Sequence, residues 1–224
     1  MFLECSNLRR EFAHFSLDVS FSVEENHMAS LVGPSGSGKS TILSMIAGLV
    51  KPEKSCGTKI ILDGKDITNL EPGKRNCGMV FQNPSLFLNM SVEDNVAYGL
   101  ISRGMKKKEA RKQAELFLEK FNMAGFAKRN PETLSGGEAQ RVALARTLIV
   151  QPKLVLFDEP LSALDEDLRK KLAQEIRNMQ RMIPFTAIMV THDIKEALSI
   201  SDDIIQIEKG KIVWCGKSCE FNKA

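Results

Sequence analysis

The chain has 224 residues, of which 43% are hydrophobic and 26% charged, and its formal net charge is +3. These proportions are those of a soluble globular protein, and so mild a charge gives no reason to expect a nucleic-acid partner. No apolar run approaches the roughly 20 residues needed to span a bilayer, and the N-terminus lacks a signal-peptide pattern. We therefore expect a protein that is kept in the cytoplasm, with its five cysteines reduced.

The first 82 residues predict mainly β-structure around one helix. Apolar and polar residues alternate in 16–23, as in a strand that is buried on one face. From Lys39 the apolar residues recur at helical spacing until Pro52 ends the pattern. The strands expected here are 2–8, 16–23, 28–32, 59–67 with an Asp-Gly turn, and 78–82, which is apolar enough to be buried.

Residues 91–150 differ from the rest because their periodicity is almost wholly helical. Ser91 is a good N-cap for the first of these helices, and Asn130-Pro131 interrupts the pattern before the last. Strands and helices alternate again after Pro152. The expected helices are 91–102, 106–123, 135–150, 165–182 and 194–200, and the expected later strands are 154–159, 185–193 and a hairpin over 204–215.

This order of elements predicts an α/β fold. Apolar strands that alternate with helices indicate a mostly parallel sheet that is covered on both faces. We expect the first three strand segments and the last hairpin to form a smaller antiparallel piece beside it. Both ends of the chain, 1–82 and 151–224, are expected to form the core lobe, and 83–150 a helical lobe.

A glycine-rich loop indicates a nucleotide-binding function. Residues 33–40, GPSGSGKS, match G-x-x-x-x-G-K-[ST] at every required position and lie between an apolar strand and a helix. The glycines let the backbone N–H groups face phosphates, Lys39 reaches the β- and γ-phosphates, and Ser40 holds Mg²⁺. The residues expected to bind the nucleotide here are Gly33, Pro34, Ser35, Gly36, Ser37, Gly38, Lys39, Ser40 and Thr41.

Two carboxylates stand at the end of the strand 154–159. Asp158 and Glu159 follow four apolar residues, and ligands of open α/β sheets bind at the carboxyl ends of the strands. We therefore predict that Asp158 holds Mg²⁺ through water and that Glu159 is the base that polarises the attacking water.

Two further polar residues stand at strand ends. His192 follows the apolar run of 185–193, and beside a phosphate loop it becomes a candidate sensor of the γ-phosphate. Gln82 ends the strand 78–82, where it is either part of the site or a glutamine that caps a loop. His14 and His27 have no comparable context, so we assign no site to them.

A second anion site is indicated by LSGGEAQR, residues 134–141. Two glycines at a helix start cost backbone entropy and supply no packing, which suggests that bare N–H groups are needed there. A helix N-terminus favours negative charge. Ser135 and Glu138 have the spacing of a capping box, so we expect Glu138 to turn back to the N-cap N–H.

These motifs together resemble the ATP-binding subunit of ABC transporters, and the resemblance covers nearly the whole chain. It implies a P-loop NTPase core of the ABC ATPase type, with a helical subdomain, that binds ATP and Mg²⁺ and hydrolyses ATP. The segments that carry it, in order, are GPSGSGKS (33–40), Gln82 in VFQNPSLF, LSGGEAQR (134–141), LVLFDEP (154–160), SALD (162–165) and THD (191–193). The signature reads LSGGE where the commonest form is LSGGQ.

The resemblance also implies roles for individual residues. Two subunits would meet head to tail, so that the signature helix of one binds the γ-phosphate of ATP held by the other. Phe12 looks like the aromatic residue that stacks on adenine, with Phe15 as the alternative. By the same resemblance, the catalytic residues would be Glu159, His192, Gln82 and Lys39, and the metal would be bound by Ser40, Gln82 and Asp158. The signature residues would be Ser135, Gly136, Gly137 and Glu138. Asp165 would contact the second ATPase subunit, and residues 86–95 would contact a membrane subunit.

The resemblance is strongest to importer ATPases of the sulfate, thiamine, iron and polyamine group. It implies a homodimer or paired ATPase subunit at the cytoplasmic face of the membrane, with transmembrane permease subunits and an extracytoplasmic solute-binding protein. Because the chain stops soon after the hairpin, we expect a bare nucleotide-binding domain. An export or lipoprotein-release ATPase is the first alternative. A soluble ABC ATPase acting on ribosomes or DNA, and a small-molecule kinase, are weaker ones.

Overall fold

The computed structural model divides the chain into two compact units. The first holds Met1–Met79, Lys153–Glu159 and Arg177–Ala224, and the second holds Val80–Pro152 and Pro160–Ile176. The second unit therefore includes residues after 150 that we had assigned to the core lobe. The residues that the structure describes are 1–12, 15–53, 57–162 and 164–223. The described residues do not include His14, Cys56 or Ala163 of the SALD segment, so the expectations for these three residues lie outside the structure.

The first unit is built on two sheets. The strands are β1 (Leu3–Glu11), β2 (Ser16–Val23), β3 (Met28–Val32), β4 (Lys59–Leu62), β5 (Lys65–Asp66), β6 (Cys77–Phe81), β7 (Leu154–Asp158), β8 (Thr186–Val190), β9 (Asp203–Glu208) and β10 (Lys211–Lys217). A six-stranded sheet has the order β10-β9-β3-β8-β7-β6, and a four-stranded sheet has the order β2-β1-β4-β5. Strands β9, β3, β8 and β7 run parallel, whereas the pairs of the four-stranded sheet are antiparallel.

The composition expected for the antiparallel sheet was wrong for the third segment and for the last hairpin. Strand β3 pairs with β8 and β9 in the larger sheet, and all five of its residues are buried. A strand that is buried throughout must be covered on both faces, which suits a central strand of a parallel sheet. The hairpin joins the same sheet because β9 pairs parallel with β3. The β4–β5 hairpin completes the smaller sheet instead. Strand β6 is less buried than expected, since only Val80 of its five residues is buried.

The helices lie where the periodicity predicts them. Ser91 caps the first helix of the middle segment by accepting a hydrogen bond from the N–H of Asp94 at 3.2 Å, as expected. None of the described helices has both the length and the apolar character that crossing a membrane requires. The helices are α1 (Lys39–Ala47), α2 (Val92–Ser102), α3 (Lys107–Glu119), α4 (Gly136–Leu148), α5 (Glu166–Met182) and α6 (Ile194–Ile200), with 3-10 turns at Pro72–Lys74, Pro131–Thr133 and Ser218–Lys223.

A buried arginine closes the C-terminal end of α1. The Arg75 guanidinium donates to the carbonyls of Met45 and Ile46 at 2.9 Å and to those of Thr68 and Leu70 at 2.7 and 2.8 Å. The last carbonyls of a helix lack intrahelical partners, and Arg75 supplies donors to two of them, although that of Met45 also accepts from the Gly48 N–H at 3.2 Å. The absence of a side chain at Gly48 makes space for the Arg75 guanidinium, because a Cβ on Gly48 would lie 2.5 Å from the Arg75 Nε.

Replacing Arg75 by lysine is expected to lower the free energy of unfolding by about 1–3 kcal/mol. Lysine keeps the charge but loses the planar fork, so buried carbonyls lose their donors. Urea denaturation measures the change. Arg10→Lys is the matched control, because Arg10 donates to the single carbonyl of Lys51 near the surface, and it should shift stability by less than about 0.5 kcal/mol. Equal losses in the two variants would contradict the capping role of Arg75.

Candidate functional site

The phosphate loop follows β3 and is shaped by close contacts at both of its ends. Gly33 has a φ of 145°, and a Cβ on it would lie 2.0 Å from the carbonyl oxygen of Ile207 in β9. Gly38, the N-cap of α1, has a φ of 102°, and a Cβ on it would lie 2.9 Å from the Leu17 side chain in β2. Glycine is therefore required at both positions by backbone conformation and by space.

Lys39 is folded over the same loop. Its side chain is buried, and Nζ donates to the carbonyl oxygens of Gly33 and Pro34 at 2.8 Å each. Burial lowers the pKa of Lys39, while the nearby carboxylates of Glu159 and Asp158 oppose that shift. The loop thus holds a buried cation with two carboxylates close to it.

Ser40 and Asp158 meet at the end of β7. The Ser40 hydroxyl donates to the Asp158 carboxylate at 2.7 Å. Burial raises the pKa of Asp158, and the bond from Ser40 acts in the opposite direction. Hydroxyl and carboxylate oxygens are the hard donors that Mg²⁺ prefers, so this pair fits such an ion.

Glu159 and His192 also come together. The Nδ1 atom of His192 lies 3.5 Å from Oε2 of Glu159. Glu159 has a φ of 48°, which is unusual outside glycine, and its N–H donates to the carbonyl of Val190 in β8 at 3.1 Å. A residue held in such a conformation is one that the surrounding structure fixes in place.

Phe12 and Phe15 lie beside the phosphate loop. Their rings are stacked, with centroids 4.7 Å apart and planes 7° from parallel. Both line a cavity of about 290 Å³ whose other walls come from the loop, the first residues of α1 and Glu159. The sequence offered the two phenylalanines as alternatives, and the structure joins them in one stack.

The second predicted anion site lies at the start of α4, in the second unit. The capping box is present: the Ser135 N–H donates to Glu138 at 2.7 Å, and the Glu138 N–H donates to the Ser135 hydroxyl at 3.4 Å. The backbone bond from Ser135 holds the pKa of Glu138 below its usual range. The expectation that Glu138 acts as a helix cap is confirmed.

The two glycines of this helix start differ in their surroundings. A Cβ on Gly137 would lie 2.9 Å from the Leu168 side chain of α5, whereas one on Gly136 would meet nothing nearer than 3.9 Å. Arg141 and Glu175 join the same two helices through two bonds of 2.9 and 3.0 Å. The expectation that these glycines supply no packing was therefore wrong for Gly137, which allows α4 and α5 to approach.

Three other predicted residues or segments lie in the second unit. Gln82 directly follows β6 and is exposed, and its assigned roles stay predictions. Asp165 accepts a hydrogen bond from the N–H of Leu168 at 2.9 Å, which caps α5. In the segment 86–95, Asn95 both accepts from and donates to the backbone of Phe87, at 2.8 and 3.0 Å, so the loop before α2 is held in shape.

Comparison with known proteins gives matches over nearly the whole chain. A family model described as ABC transporter matches residues 17–162. The Fe(3+) ions import ATP-binding protein FbpC of Agrobacterium fabrum is 46% identical over 220 residues, which cover 97% of this chain and 62% of that protein. FbpC 1 of Rhizobium meliloti is 46% identical over 217 residues, which cover 96% of this chain and 61% of that protein. The chain thus spans less than two thirds of the length of these relatives.

Solved structures have the same fold. The dimeric ATP-binding cassette MJ0796, in a post-hydrolysis state bound to ADP and Pi, superposes with a TM-score of 0.82 at 30% identity, covering 97% of this chain and 99% of that one. The cbiO1 protein of Clostridium perfringens, part of the ABC transporter complex cbiONQ, gives a TM-score of 0.86 at 24% identity over 99% of this chain and 90% of that one. The predicted fold class is confirmed.

The contact between Gly137 and Leu168 predicts different results for two neighbouring substitutions. Gly137→Ala should destabilise the protein by about 0–2 kcal/mol, because the new methyl group forces the branched end of Leu168 to shift, while the higher helix propensity of alanine offsets part of that cost. Gly136→Ala should be neutral or slightly stabilising, because the site is open and alanine favours helix. Chemical denaturation of both variants measures this, and equal stability of the two would contradict the packing role.

Proposed function

This chain belongs to the ABC transporter family, and on that premise we propose that it is the ATP-hydrolysing subunit of a solute importer. The observation that carries the proposal is the arrangement in the first unit. Lys39 folds over the phosphate loop, Ser40 bonds Asp158 at 2.7 Å, and His192 lies 3.5 Å from Glu159. A phosphate-binding cation, a pair of metal-binding oxygens and a base are the parts that ATP hydrolysis requires.

The phosphate loop binds and orients the nucleotide. Its backbone N–H groups and Lys39 contact the phosphates, and Phe12 stacks on the adenine ring. Ser40 and Asp158 would hold Mg²⁺, with Gln82 proposed as a further ligand and γ-phosphate sensor. When bound, the ion supplies positive charge against the negative charge of the phosphates. Asp158 must be ionised for this role, so its raised pKa makes acid pH unfavourable.

Glu159 is the proposed general base. Its carboxylate accepts the proton of the water that attacks the γ-phosphorus, and the bond to the leaving ADP oxygen breaks as the new P–O bond forms. His192, 3.5 Å from Glu159, orients the carboxylate and contacts the γ-phosphate. Holding water and base in a fixed position is the main contribution that a protein makes to phosphoryl transfer.

The start of α4 is proposed to complete the site of a second subunit. The Glu138 carboxylate accepts a hydrogen bond from the Ser135 N–H, so it is directed towards the N-cap residue. The amides of Gly136 and Gly137 belong to the first helical turn, where N–H groups lack intrahelical acceptors. A γ-phosphate held by the phosphate loop of another subunit can accept from them. ATP then joins two subunits head to tail, and hydrolysis removes the shared group. That MJ0796 was solved as a dimer supports this.

An exposed apolar patch on the second unit supports a membrane partner. Phe87, Leu88 and Tyr98 are 37%, 58% and 45% exposed, and the Phe87 and Tyr98 rings lie 4.8 Å apart. Because Asn95 and Arg146 fix the backbone of this segment, the patch has a defined shape. We propose that it receives a cytoplasmic helix of a permease, which places the protein at the inner membrane face.

Import is the direction that the relatives favour. Both named FbpC proteins are called Fe(3+) import ATP-binding proteins. Iron(III) import is accordingly the first system to test, with an extracytoplasmic solute-binding protein as a third component. The cargo itself is recognised by those other subunits.

Replacing Glu159 by glutamine should lower the ATPase rate by ~10²- to 10⁴-fold while ATP still binds. The amide keeps the shape of the side chain but cannot accept the proton. Lys39→Ala should instead abolish ATP binding. Both are measured as steady-state hydrolysis and equilibrium binding of Mg-ATP, with the exposed Glu119→Gln as control. Hydrolysis at the wild-type rate by Glu159→Gln would show that the base is another residue.

Mixing two inactive variants tests the shared site. Lys39→Ala and Ser135→Arg should each be inactive alone, because one loses the phosphate loop and the other the signature helix. In a mixed dimer, one site carries both defects and the other carries neither, so part of the ATPase activity should return. Sedimentation of the Glu159→Gln protein in Mg-ATP should show a dimer. The double variant, which carries Ser135→Arg in the same chain, should remain a monomer. A mixture without activity, together with a monomeric Glu159→Gln, would refute the head-to-tail dimer.

A further inference from the structure

We infer that Phe15 is a positioning residue for nucleotide binding: it fixes the ring of Phe12, which takes the base, against the phosphate loop. The inference rests on the proposed ATP-binding function and assigns to Phe15 a role that stacking of the base on Phe12 alone would not require. Three contacts carry it.

The first contact is the stack itself. The rings of Phe12 and Phe15 are 4.7 Å apart and 7° from parallel, so one face of each ring is covered by the other. The Phe12 N–H also donates to the Phe15 carbonyl at 2.9 Å. Phe12 is 38% exposed, and a side chain as exposed as this would have rotameric freedom without a fixed neighbour.

The second contact ties Phe15 to the core. Its side chain is partly buried and packs against the main apolar cluster of the first unit, which includes Leu17 and Ile42. Phe15 is therefore the anchored ring of the pair, and Phe12 is the outer ring. A base that stacks on Phe12 rests on a surface that is rooted in the core.

The third contact joins Phe15 to the phosphate loop. The edge of its ring lies 3.6 Å from the position that a Cβ on Gly38 would occupy, and Gly38 immediately precedes Lys39. Phe15 thus lies beside Gly38 of the loop with one ring edge and stacks on Phe12 with one ring face. This arrangement sets the distance between the surface for the base and the phosphate-binding groups, which reduces the entropy lost when a nucleotide binds both.

The inference predicts that Phe15 contributes to binding of the base and not of the phosphates. Phe15→Leu keeps apolar volume but removes the flat ring. It should weaken ATP binding by about twofold to tenfold, the range expected for loss of an aromatic pair. Binding of inorganic tripolyphosphate, which has no base, should be unchanged. In hydrolysis the KM for ATP should rise while kcat stays near the wild-type value.

Matched variants separate this role from general destabilisation. Phe15→Tyr keeps the ring and should bind ATP like the wild type. Phe221→Leu makes the same substitution in another aromatic pair of this unit, where the Phe221 ring lies 4.9 Å from that of Trp214. It should leave the affinity for ATP and for tripolyphosphate unchanged. Because the two rings act together, Phe12→Ala combined with Phe15→Leu should bind ATP no more weakly than Phe12→Ala alone.

Equilibrium titrations of wild type and variants with ATP and with tripolyphosphate decide the matter. If circular dichroism shows that the Phe15→Leu protein is unfolded, the Phe15→Met protein is used in its place. Three results would each overturn the inference: an unchanged ATP affinity of Phe15→Leu, an equal loss of affinity for ATP and for tripolyphosphate, or additive effects of Phe12→Ala and Phe15→Leu on ATP binding. A wild-type protein that binds tripolyphosphate but not ATP would overturn it too. If the wild type bound neither ligand, the proposed function would fail first, and the inference with it.

Discussion

The close packing of the phosphate loop against backbone and side chains of two strands is the constraint on which the site depends. The carbonyl of Ile207 leaves no room for a side chain at Gly33, and Leu17 leaves none at Gly38. One of these residues belongs to β9 of the larger sheet and the other to β2 of the smaller sheet. Both ends of the loop are therefore fixed by non-local contacts, and the loop keeps its curved shape because these strands hold it.

Charge balance at the carboxyl ends of the strands follows from that fixed loop. Lys39 is buried, and an ammonium removed from water is costly unless it is hydrogen-bonded and paired. The carbonyls of Gly33 and Pro34 supply the bonds, and the carboxylates of Asp158 and Glu159 supply nearby negative charge. The proposed phosphate-binding ammonium and the two carboxylates, proposed to bind the metal and to act as the general base, thus stabilise one another.

The start of α4 combines two requirements that the sequence alone does not separate. Ser135 and Glu138 satisfy each other in a capping box, which is a local interaction. Gly137 meets a different need, because Leu168 of α5 occupies the space of its missing side chain. Only Gly136 has open surroundings, so of the two glycines it is the one whose presence packing does not explain. Helix packing, helix capping and the proposed anion site therefore share four consecutive residues.

The sequence by itself determined the features that depend on neighbouring residues: the limits of most helices and strands, the cap at Ser135, and the spacing of Lys39, Asp158 and His192 relative to strand ends. These follow from short-range periodicity and hydrogen bonding. Tertiary structure decided the place of β3 in the larger sheet, the contact of Gly137 with Leu168, and the stacking of Phe12 on Phe15. Each depends on which buried surfaces meet, and a pattern along the chain does not encode the partner of an apolar face.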